Sequence, residues 1–262
     1  MNLIFLTPLD LSITALLVLA LAGATIMMRL GLARQLLVAA LRTTLQLLLI
    51  GWVLKAIFAY ARLGWIALVA AIMLAAAGRE VWARQKRKLR GWHGFGIGAS
   101  SMFLSSFAVT ILALLAVVGP RPWYAPQYAI PLLGMLLGNT MNGVSLAMDH
   151  LTRSAWQQRP IIEQRLLLGQ TRTEALGDIR RDSMRTGMIP IINAMAAAGL
   201  VALPGMMTGQ ILAGSPPVEA VKYQIMIMFL IAAGTGFGTL AAVWQTGRRL
   251  FDSRHRLRLD RL

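Results

Sequence analysis

A few polar residues stand inside otherwise apolar stretches of this chain, and any chemistry must begin with them. Arg42 and Gln46 lie four apart in the run 36–58, so a helix would place them on one face. Asn139 and Asn142 lie three apart in the run 130–148, and Asn193 stands within 187–203, just before Leu203-Pro204-Gly205-Met206-Met207. Amides, a guanidinium and thioethers can hydrogen-bond, coordinate or pass a solute, but they cannot by themselves break a covalent bond. The chain has no G-x-x-x-x-G-K-S/T loop for splitting ATP. It also shows no convincing nucleophile, base and orienting group for an intramembrane hydrolase. His93, His150 and His255 are far apart and lack metal-ligand spacing, and cysteine is absent. Asp10, Glu80 and Asp149 sit at the ends of apolar runs, whereas ion-coupled carriers need an acidic group within a span. These residues therefore suit a conduit that carries no cofactor of its own, powered from outside itself; a metal site stays unassigned.

The elements that must position them are membrane helices. Of 262 residues, 57% are hydrophobic and only 14% are charged, against roughly 25% charged in soluble domains. Seven apolar segments can be drawn, at residues 9–28, 36–58, 63–77, 94–118, 130–148, 187–203 and 218–244. Each approaches the ~20 residues needed to cross a bilayer. The expected fold is an all-α, polytopic transmembrane bundle of about seven segments, forming one permease-like domain over 1–262. Pro204-Gly205 ends the sixth segment, and the short interval 206–213 is expected to be a re-entrant half-helix. Backbone of that kind is tolerated only where protein or a water-filled cavity surrounds it.

The net charge of +16 is read against the bilayer, with no need for nucleic acid. Assigning connections alternately to two sides puts 21 of the 26 Lys and Arg residues on one side, and Lys55, Arg62, Arg121 and Lys222 on the other. That bias predicts an outside N-terminus and a cytosolic C-terminus. The N-terminal MNLIFLTPLDLS lacks a basic leader region, so the first segment is expected to be a retained helix. Arg42 either snorkels to the inner surface or serves a subunit contact or solute path. Asn139 and Asn142 either bond neighbouring helices or line such a path. Met206, Met207, Met226 and Met228 are either flexible core filler or soft-metal ligands. Gly94, Gly96 and Gly98 favour close helix contact. The basic tail from Arg248 is expected to be solvated or on lipid.

The cytosolic segment 149–187 carries its own signals. Thr171 and Glu174 fit a capping box. Ala175, Leu176 and Ile179 then form an apolar stripe, expected to lie across the membrane surface with Leu176 available to a partner. Leu166, Leu167 and Leu168 form a second apolar patch beside Gly169, facing either a partner or lipid.

The run GLVALPGMMTGQILAGSPPVEAVKYQIMIMF, with LLGMLLGNTMN and Arg42-x-x-x-Gln46-Leu47, resembles FetB-type ABC-transporter permeases. These are membrane subunits implicated in iron export and related to plant aluminium-tolerance proteins. The resemblance implies an inner-membrane homodimer paired with a separate ABC-type ATPase, with iron or another metal as cargo. Glu163 and Gly169, six apart, are similar to the ends of the E-A-A-x-x-x-G coupling loop, although Gln164-Arg165 replace its alanines. On that reading Glu163, Gly169, Glu174, Leu176, Asp182 and Arg185 couple to the ATPase. Arg42, Gln46, Asn139, Asn142, Asn193, Pro204 and Gly205 line the path or dimer seam, with Met206 and Met207 at its outer end. The rival classes are an ion-gradient-driven carrier or channel, and a membrane-embedded enzyme or assembly factor.

Overall fold

A computed structural model describes residues 7–59, 62–252 and 254–262; residues 1–6 of the N-terminal reading lie outside them. The described chain is helical throughout, with two isolated backbone bridges and no strand. It divides into two compact units, Met1–Arg62 with Leu212–Gly214, and Leu63–Ile211 with Ser215–Leu262.

The first unit is a helical hairpin of α1 (Pro8–Met27) and α2 (Ala33–Ala59). Thr7 and Asp10 cap α1 reciprocally, and Pro8 occupies its first position, where a missing N–H costs nothing. Ala22 and Thr25 are its buried residues, while leucines all round both helices are exposed. A surface this apolar is stable only against lipid or another protein.

The second unit contains α3 (Leu63–Arg84), α4 (His93–Met102), α5 (Ala108–Leu112), α6 (Pro126–Gln157), α7 (Arg159–Leu167), α8 (Arg172–Ala175), α9 (Gly177–Ala197), α10 (Gly205–Leu212) and α11 (Pro217–Arg249). Wider π-helical turns at Phe103–Phe107 and Ala113–Val118 join α4 and α5 into one continuous span. The first of these turns rephases the helix, so that consecutive Ser105 and Ser106 are both buried. Gly98 lets α4 approach α3: a Cβ there would stand 3.0 Å from Val81. The expected close contact is therefore present at Gly94 and Gly98, whereas Gly96 has nothing within 4 Å of an added Cβ.

Helices α6, α9 and α11 form the centre. α6 and α9 meet glycine on glycine: a Cβ on Gly143 would lie 2.9 Å from the Gly187 carbonyl oxygen, and one on Gly187 would lie 2.6 Å from that of Gly143. Small residues are how membrane helices gain dispersion contact where no hydrophobic driving force exists between them. Hydroxyls fill the same seam. Ser106 donates to Thr140 at 3.2 Å, while Thr235 and Thr239 are buried with hydroxyl oxygens that find no partner among the described residues. Gly134 and Gly138, four apart on α6, do not make this contact, since Gly138 has nothing within 4 Å of an added Cβ.

Six helices among the described residues are long and apolar enough to cross a membrane. The expected segment 187–203 is not one of them. Its apolar half is the end of α9, a helix that begins ten residues earlier with Asp178, Arg180, Arg181, Asp182 and Arg185, and residues 198–203 lie beyond the helix. The continuous helix dilutes its own hydropathy, because one end is built for water.

The basic connections meet at one end of this unit. Lys86 N–H donates to the Asp149 carboxylate at 2.8 Å, Arg90 N–H to the Arg261 carbonyl at 2.7 Å, and Arg249 to His93 Nε2 at 2.8 Å. The tail, expected to be solvated or on lipid, exposes Arg254, His255 and Arg256 but is also fastened back onto the unit. Leu250 and Phe251 are buried, Arg258 N–H returns to the Leu250 carbonyl, and the Arg261 guanidinium caps the Arg249 and Phe251 carbonyls left open by the end of α11.

Candidate functional site

The break after α9 is built by local hydrogen bonds. Gly199 adopts φ +83° and donates to the Ala202 carbonyl, turning the chain so that Leu200 and Val201 project outward, 91% and 88% exposed. A left-handed backbone suits glycine because no Cβ clashes there. The Pro204 carbonyl accepts from the Thr208 N–H and hydroxyl, starting α10 at Gly205. The half-helix expected at 206–213 is therefore an eight-residue helix, Gly205–Leu212.

Between this break and α11 lies a cleft of about 530 Å³, lined by Met195, Pro204, Met207, Gln224, Met228 and other apolar side chains. Met207 is buried, Met206 half-buried and Gly205 exposed. Gln224 is 8% exposed and its Oε1 has no hydrogen-bond partner among the described residues. A buried amide oxygen without a donor is costly, and one beside a cleft is available to whatever enters it. The sequence reading did not select Gln224, because one glutamine in a long apolar helix carries no spacing signal.

Other proposed path residues occupy outer faces. Asn139 is exposed and bonds back to its own helix through the Met135 carbonyl at 2.8 Å. Asn142, also exposed, accepts from Arg84 at 2.7 Å, pinning α3 to α6. Asn193 stands on the exposed side of α9 beside Ile192. Arg42 and Gln46 are exposed on α2 in the first unit. Among the described residues no three His, Cys, Asp or Glu side chains come together as a metal-binding set.

The segment expected to meet a partner is a hairpin of α7 and α8 leading into α9. Gly169, at φ +86°, ends α7 in the left-handed conformation, with its N–H on the Leu166 carbonyl. Glu163 pairs with Arg159 at 2.8 Å, and Asp182 with Arg185 at 3.6 Å. The Thr171 N–H and hydroxyl both donate to Glu174, holding its carboxyl below the usual range. The orientation expected for Leu176 is corrected. It is 1% exposed and packs toward Gly247 on α11, so the stripe of Ala175, Leu176 and Ile179 closes the protein's own core. Amphipathicity shows that a stripe must be buried but not against what. The large apolar side chains this hairpin does present are Ile161, Leu167 and Leu168, 48%, 87% and 83% exposed.

A family profile described as "Uncharacterised protein family (UPF0014)" matches residues 8–251. The chain is 42% identical over 232 residues to UPF0014 membrane protein slr1647 of Synechocystis, covering 87% of each chain. It is 34% identical over 240 residues to the Probable iron export permease protein FetB of Escherichia coli, covering 89% of this chain and 88% of that one. With Protein ALUMINUM SENSITIVE 3 of Arabidopsis thaliana the identity is 30% over 216 residues, covering 82% and 77%. No solved structure matches.

Proposed function

We propose that this chain, which belongs to the UPF0014 family of multi-pass membrane proteins, is the non-catalytic permease subunit of an ABC-type exporter of the inner membrane. In this reading it acts as a homodimer with a separate ATPase subunit. The carrying observation is α9: one uninterrupted helix joins the charged α7–α8 hairpin at Gly177 to the broken, cleft-lining segment after Ala197. Its 21 residues span about 32 Å at 1.5 Å per residue. A partner that grips the hairpin differently with and without ATP would tilt this lever and reshape the cleft, since only differential affinity moves an equilibrium. The chain has no nucleotide loop of its own, so the energy enters from another molecule. The positive-inside bias supports a cytosolic position for the basic end, and with it for the hairpin.

The name of the Escherichia coli relative supports iron or another metal as cargo. The cleft favours a second cargo class, an apolar solute, because thioethers and one amide line it without a carboxylate. The exposed amides of Asn139, Asn142 and Asn193 suit a seam with the second copy, where buried amides would find partners.

Reconstitution tests the reading. Proteoliposomes holding this chain and a separate ABC-type ATPase subunit should move iron only with ATP. Leu167→Asp together with Leu168→Asp should abolish that coupling while leaving the permease folded. Uphill movement by this chain alone on an ion gradient would refute the proposal.

A further inference from the structure

At the basic end of the second unit, a cavity of about 150 Å³ opens between the α8–α9 junction and the end of α11. Arg172, Thr173, Leu176, Arg180, Trp244 and Arg248 line it, with Gly247 at its floor. Three arginines thus line one small space, and none has a carboxylate within ion-pair distance among the described residues.

The nearby acids are committed elsewhere: Glu174 to Thr171, Asp178 to Arg165 and Arg181, Asp182 to Arg185, and Asp252 to Arg256. Arg248 instead stacks over Trp244, 4.3 Å from the ring centre. The Arg180 Nε is buried and has no hydrogen-bond partner among the described residues. The Arg180 stem runs alongside Gly247 of α11, where an added Cβ would be 3.7 Å from its Cδ, in ordinary van der Waals contact.

Three like charges around a shared space, one with a desolvated and unsatisfied donor, are unfavourable unless something neutralises them. A tetrahedral oxyanion does so best, because each guanidinium offers a planar fork to its oxygens. We propose that this cavity binds a phosphate-bearing anion, either the headgroup of an anionic lipid or a free phosphate. The indole of Trp244, 49% exposed beside Arg248, is the residue type found at headgroup depth. The proposal stands apart from the transport reading, since it concerns neither the cleft nor the hairpin's outer face.

The test uses the full chain in phosphatidylcholine nanodiscs and reads thermal unfolding. One arm titrates inorganic phosphate against chloride at matched ionic strength. The other replaces part of the phosphatidylcholine by phosphatidylglycerol. Stabilisation in the first arm identifies a free phosphate, and in the second arm alone a lipid headgroup. Arg180→Gln and Arg248→Gln should each weaken the response about tenfold, the scale of one lost charge-assisted bond. Arg180→Lys should keep part of it, and Arg121→Gln, in the connection before α6 and outside the cavity lining, should keep all of it. Where Arg180→Gln fails to fold, Arg248→Gln and Arg180→Lys carry the comparison. No response in either arm, or an equal response in wild type and in the cavity variants that fold, overturns the proposal.

Discussion

Asp260 shows how a solvent-facing carboxylate can order a chain end. Both its oxygens accept from Arg258, at 2.8 and 2.7 Å, and this fork drops Leu259 into the core between them. The paired guanidinium holds the Asp260 carboxyl down, from 3.8 to about 2. Because the folded value lies below the unfolded one, the stabilisation is fully present above pH 3.8 and is lost as the pH falls through about 2. Hydrogen exchange of residues 250–262 should therefore accelerate across that window, and Asp260→Asn should show the faster exchange already at neutral pH. Equal exchange in Asp260→Asn and wild type at neutral pH would remove the pair from the account. Leu176 teaches a related lesson: at 1% exposure it is core, so truncation to Ala costs about 2–5 kcal/mol of stability before any partner is involved.

At the scale of elements, the contact among α6, α9 and α11 decides whether the lever has a fulcrum. The backbone carbonyls of Gly143 and Gly187 leave no space for a methyl group, and a backbone cannot swing aside as a flexible side chain can. Gly143→Ala should therefore destabilise the bundle by about 1–3 kcal/mol, the cost of overpacking, while Gly138→Ala should be neutral. Thermal unfolding in detergent distinguishes the pair, and equal midpoints would show that the helices can separate without cost. Both substitutions read alike in the sequence, since each glycine lies in an apolar helix; only the crossing point tells them apart.

For the whole molecule, the distribution of charge makes a prediction about sidedness. The chain has no cysteine, so each introduced thiol is a unique reporter. In intact cells a membrane-impermeant maleimide should label Arg121→Cys, and should label Arg254→Cys only after permeabilisation. The reverse pattern would invert the orientation, placing the α7–α8 hairpin away from ATP. Reconstitution with and without the ATPase then tests the function that this orientation permits.

Composition and local spacing alone determined that this is an all-helical membrane protein, that Thr171 and Glu174 cap a helix, and that Pro204-Gly205 marks a break. These follow from rules that act within a few residues: hydropathy over one span, a side chain reaching its own backbone, a ring that cannot donate. The tertiary structure alone decided that Leu176 faces inward, that the basic tail is fastened by Arg261, that Arg84 reaches Asn142, and that three arginines surround one cavity. Those pairings join residues tens of positions apart. Their energies depend on which surfaces the helices turn toward each other, and a linear pattern of apolar and polar residues leaves that choice open.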